Sequence, residues 1–102
     1  MAITPAVDAR AMAEALAAVV ASEPALEHLL VSTERDLIEL WLLTAPTDAD
    51  TERRLYGESI MLYDRFPDAC FRVHVLNPAY FEDGDVSGIV PAGAEEIPLP
   101  AR

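Results

Sequence analysis

Apolar residues at the head of the chain recur at helical spacing. Met12, Leu16, Val19 and Val20 share one face with Ala9 and Ala13 when residues are set 100° apart. Thr4 and Pro5 supply a cap and a first helical residue, and Ser22-Glu23-Pro24 stops the segment, so the pattern predicts a helix to about Ala21. Its other face is mostly alanine, which implies packing on more than one side.

From Leu26 to Thr44 the period changes. Two apolar runs flank Thr33-Glu34-Arg35-Asp36, the pattern of a β-hairpin. The opening EPALEHLL also starts well as a helix, and the turn lacks glycine, so residues 22–34 stay open between strand and helix; strand is the reading taken. The second strand is plainer: Ile38, Leu40 and Leu42 alternate with Leu37, Glu39, Trp41 and Leu43.

Pro46 ends that strand. Thr47-Asp48-Ala49-Asp50 matches a capping box with Asp50 in the place of the usual Glu, and a helix to about Arg65 follows. Leu55, Ser59, Leu62 and Phe66 fall in one arc, flanked by Tyr56, Ile60 and Tyr63. Arg53, Arg54, Gly57, Asp64 and Arg65 lie opposite, with Met61 oddly among them. Glu58, four residues beyond Arg54, is its expected ion partner. Phe66-Pro67-Asp68 stops the helix. Then Phe71, Val73 and Val75 alternate with Cys70, Arg72, His74 and Leu76 in a strand ended by Asn77-Pro78.

The order α-β-β-α-β predicts an α+β fold: a two-layer sandwich whose three-stranded mixed sheet carries helices on one face. Right-handed β-α-β crossover makes the third strand parallel to the second. Residues 1–78 form the compact domain in this reading. Residues 79–102 hold three of the four glycines and three of the seven prolines beyond Pro5, and form an extended, irregular tail packed on the domain or on a partner subunit. A helical turn near Val86 to Val90 and a short edge strand at Glu96 to Leu99 are expected within it.

That architecture leaves one sheet face without helices. It carries Leu37, Glu39, Trp41 and Leu43, Arg72, His74 and Leu76, and from the first strand either His28 and Leu30 or Glu27, Leu29 and Val31. Covering a few hundred Å² of such surface at roughly 25 cal/mol per Å² is worth several kcal/mol. A small domain's total stability is only about 5–15 kcal/mol, so either the tail or a second copy must cover it. A C2 homodimer with Leu37, Trp41, Leu43 and Leu76 at its seam is the expected cover.

Composition narrows the function classes. The chain has 102 residues, 52% hydrophobic, with mean hydropathy +0.18, which excludes a disordered tail protein. Seven arginines and no lysine stand against 18 acids, for a net charge of −11. Nucleic-acid binding needs the opposite balance. An acidic mimic of nucleic acid is a weak reading too, because the acids form no dense run. The arginine and alanine bias suits a GC-rich bacterial genome. Cys70 is the single cysteine, so no internal disulfide forms and a cytoplasmic setting fits. Asp8 and Glu14 argue against a signal peptide at the start, and no apolar run is long enough for a membrane span.

Candidate chemistry is sparse. Cys70 and His74 would lie about 13 Å apart along a strand, too far to share a metal, so no metal is expected. Glu82 to Gly88 lacks calcium-loop spacing. No phosphate loop, nucleophile elbow or paired-cysteine motif occurs, and without lysine Schiff-base chemistry is excluded. No cofactor is expected. Glu39, Trp41, Arg72 and His74, joined by His28, could form a ligand-binding cluster for a small anion on the open face; the plain alternative is a salt-bridged patch inside an interface. The sequence therefore predicts a non-enzymatic association module acting as a homodimer, with its acidic surface or tail available to another protein; a small-molecule binder or modest enzyme with its site on the open sheet face or at the dimer seam is the alternative.

Overall fold

The computed structural model describes residues 8–81, 84, 86 and 88–100. The chain is an α+β domain with helices packed on a mixed sheet. The elements are α1 (Ala9–Val20), β1 (Leu26–Glu34), β2 (Leu37–Thr44), α2 (Ala49–Ser59), α3 (Met61–Arg65), β3 (Cys70–Leu76) and β4 (Glu95–Ile97). A 3-10 turn, Pro78–Tyr80, follows β3. The sheet has four strands rather than three, in the order β3-β2-β1-β4. β1 is antiparallel to β2 and to β4, while β2 and β3 are parallel, as the crossover rule requires.

The fourth strand comes from the expected tail. It starts one residue before the expected edge strand and ends at Ile97, which pairs with Leu29 and is 1% exposed. The helical turn expected at Val86 to Val90 includes residue 87, outside the described residues. Residues 22–34 resolve as strand from Leu26 onward. The hairpin turns without glycine because Arg35 takes a positive φ of 56°, a conformation that costs an ordinary residue roughly 1–2 kcal/mol.

The core lies between the helices and one sheet face. Met12, Leu16 and Val20 of α1 and Leu55 and Leu62 of the second helical segment meet Leu29, Val31, Ile38, Leu40, Leu42, Val75 and Ile97. Val19, expected on this face, is 37% exposed instead. The Thr4-Pro5 start lies outside the described residues. Asp8 caps α1, its carboxylate accepting the N–H groups of Arg10 (2.9 Å) and Ala11 (3.3 Å).

The second helix begins one residue later than the capping-box pattern suggests. Asp48, not Thr47, is the cap and accepts the Thr51 N–H at 2.8 Å. The helix also breaks at Ile60, where hydrogen bonds tighten to three-residue spacing: Ile60 N–H to Gly57 and Tyr63 N–H to Ile60. That shift brings Met61 against the core, which corrects its expected place on the polar side. It also leaves Ile60 and Tyr63 standing outward.

Thr47 is held by Asn77, which is 1% exposed. Its Oδ1 accepts the N–H groups of Thr47 and Ala79, both at 3.1 Å, and its Nδ2 donates to the Thr47 carbonyl (2.7 Å) and to Glu52 Oε2 (3.0 Å). One side chain thus ties the loop after β2 to the turn after β3 and satisfies its own amide completely. Arg54 does not pair with Glu58. It donates to Glu23 at 2.8 Å, across from the α1–β1 loop, while Glu58 Oε2 is buried without a hydrogen-bond partner. Glu23, also accepting the Ala25 N–H, is mostly sheltered, and the Arg54 hydrogen bond holds its carboxyl below the usual carboxylate range.

Two outcomes follow from these contacts. Asn77→Ala strands buried backbone groups in both loops and should cost about 2–4 kcal/mol, read as a lowered urea midpoint. Glu23 is depressed in the folded state, so its pairing stabilises above the ordinary carboxylate range and fades as pH falls through it. Arg54→Met should therefore lower the urea midpoint at neutral pH, with the gap to wild type closing in acid. A gap that persists there would show that the pair is not its source.

Candidate functional site

Two surfaces remain once the core is accounted for: the helix-free sheet face, and the margin where α2 and α3 overhang β3. On the helix-free face the register decides which side chains meet. Leu30 lies opposite Trp41, and Trp41 beside His74; Ser32 lies opposite Glu39, and Glu39 beside Arg72. Because Leu29 and Val31 are in the core, His28, Leu30 and Ser32 point to this face, which settles the alternative left open for the first strand.

Glu39, Trp41 and His74 come together. His74 Nε2 lies 3.2 Å from Glu39 Oε1, and the imidazole stacks on the Trp41 indole with ring centroids 4.2 Å apart and planes 19° from parallel. Trp41 Nε1 donates to Ser32 Oγ at 2.9 Å. Ser32 is the member the sequence reading missed; it shares the strand parity of His28 and Leu30, which would have revealed it once the register was known.

The other two expected members stand apart. His28 pairs with Glu96 of β4, its Nδ1 2.9 Å from Oε2. Arg72 sits next to Glu39 in register, yet Glu39 turns to His74, and Arg72 is exposed with no ion pair among the described residues. The expected His-Glu-Arg cluster is thus two separate His-carboxylate pairs and a lone arginine. The Ser32 hydroxyl is bonded to the indole rather than to His74, so the group holds no nucleophile and base in hydrogen-bond contact. No group of three His, Cys, Asp or Glu with metal-binding geometry occurs among the described residues.

The chain also covers this face itself. Trp41 is 5% exposed and Leu76 7%, both within a single copy, and Leu37 and Leu43 are half-buried. Trp41 and Leu76 are therefore not the bare seam that the sequence suggests. Topology explains the cover. The β2→β3 connection carries the helices over one face; the β3→β4 connection also joins parallel strands but travels across the sheet in the opposite direction. For both to be right-handed they must pass over opposite faces. Phe81, Val86 and Val90, in the stretch that follows β3, are half-buried.

The second surface is open. Tyr56, Ile60 and Tyr63 project from the second helical segment and are 42%, 61% and 63% exposed. With Phe71 and Val73 they line a groove along the margin of the sheet. Tyr63 packs on Phe71 at 4.7 Å between ring centroids. The second helix is amphipathic as expected, but these flanking aromatic residues lie outside the core rather than at its rim.

No family model matches the chain, and comparison with curated proteins and with solved structures likewise gave no match. No helix among the described residues is long and apolar enough to cross a membrane.

Because its own chain shelters Trp41, indole emission should be blue-shifted and resistant to iodide, and should stay so on dilution. Shielding lost on dilution would mean that another chain supplies the cover. Trp41→Ala should cost about 3–5 kcal/mol, measured by denaturant unfolding.

Proposed function

We propose that the protein acts by association with a second copy of itself, as a non-enzymatic homodimeric module. One observation carries this reading: Tyr56, Ile60 and Tyr63 stand side by side in solvent beside Phe71 and Val73. A contiguous apolar patch of this kind marks an interaction surface, and tyrosine-rich patches are typical of interface centres.

Charge favours a like partner. Residues 49–76, which span α2 to β3, hold five acids and four arginines, a net of −1; the remaining −10 lies elsewhere. Two copies meeting here bring together the stretch of chain that carries the least net charge, which lowers the repulsion at the contact itself. The His74-Glu39 and His28-Glu96 pairs give less support to an anion site, since each imidazole already faces a carboxylate. The single free cysteine fits a cytoplasmic setting for this reading.

Light scattering over a dilution series tests it. At tens of micromolar the expected mass is twice the 11.1 kDa of one chain. The mass of a single chain at every concentration would sink the reading.

A further inference from the structure

We propose that the seam of this dimer is the free edge of β3: two copies pair antiparallel along Phe71–Val73 about a two-fold axis, joining their sheets into one of eight strands. The inference rests on the homodimer reading and adds its geometry.

The backbone shows where pairing is open. β3 is an outer strand with β2 on one side only. The Val75 N–H points away from β2 and is taken by the Tyr56 hydroxyl at 3.1 Å. Backbone groups alternate along a strand, so those of Phe71 and Val73 point outward as well. No hydrogen bond holds their N–H groups on that side among the described residues. Tyr56 thus closes the strand at Val75 and leaves a short open template before it.

The two edges of the sheet are not alike. β4 is three residues long, carries Glu95 and Glu96, is followed by Pro98, and has Arg10 paired with Glu95. These are the usual devices that keep a sheet edge from pairing. Between Cys70 and Val73 the β3 edge has no acid and no proline. An antiparallel partner can be the same strand of a second copy, which is what an isologous contact requires.

The flanking helices add area. At roughly 200 Å² for a large side chain, the exposed parts of Tyr56, Ile60 and Tyr63 offer on the order of 350 Å² per copy. A stable dimer buries about 800 Å² per partner. The backbone of β3, Phe71, Val73 and the stem of Arg53 lie on the same margin to supply more. The near-neutral charge of residues 49–76 places the second copy here rather than on the acidic remainder of the surface.

Two substitutions test the seam. Val73→Pro removes an outward N–H and leaves the ladder to β2 intact. Ile60→Asp puts a charge on an exposed position that the fold does not use. Folding is checked by far-UV circular dichroism and dimerisation by sedimentation. Each folded variant should dimerise at least roughly 30-fold more weakly than wild type, the loss expected of one hot-spot residue. If Val73→Pro does not fold, Ile60→Asp decides alone. A folded variant that dimerises like wild type overturns this seam while leaving the homodimer reading intact. A wild-type chain that never dimerises overturns both.

Discussion

A strand that is apolar on both of its faces has to be roofed twice, and β2 is such a strand. Ile38, Leu40 and Leu42 point to the helices while Leu37, Trp41 and Leu43 point the other way. One layer of helices satisfies only the first set. The second roof follows from handedness: two right-handed connections that cross the sheet in opposite directions must use opposite faces. Trp41 is sheltered within a single chain, and the return of the chain as β4 puts Ile97 in the core.

This constraint reassigns the polar residues. Under a bare sheet face, Glu39, Trp41 and His74 would be a site waiting for a ligand. Under a covered one they satisfy each other: the indole donates to Ser32, and the imidazole faces Glu39. Buried polar groups that lack partners are costly, and the pairings here remove that cost. Asn77 does the same for two loops at once. Glu58 Oε2 and Thr44 Oγ1 are buried without partners, and at the β3 margin open backbone groups meet aromatic side chains with water on one side. Function is therefore best sought where the fold leaves valence unused.

Much of this was legible in the residues. The alternation of Phe71, Val73 and Val75 with Cys70, Arg72 and His74 gave β3 its two faces, and β-α-β order gave its direction relative to β2. Glu39, Trp41 and His74 meet because they share one face of strands that the crossover makes neighbours. Arg72 and His28 were not separable from them by pattern. Parity puts all five on one face, but only the position of β4 draws His28 to Glu96.

Local chemistry along the chain determined the elements, the in-and-out pattern of each strand and the parallel crossover, because periodicity and capping act over a few neighbouring residues. Tertiary structure alone decided that the short tail strand pairs with β1 at the far edge and that the chain shelters Trp41. It also decided that Arg54 reaches Glu23 rather than Glu58, and that a break at Ile60 turns Met61 inward and Tyr63 outward. The reason is physical: these outcomes depend on which groups are brought within a few ångströms by packing, and residues as far apart as 23 and 54, or 28 and 96, carry no local signal of meeting.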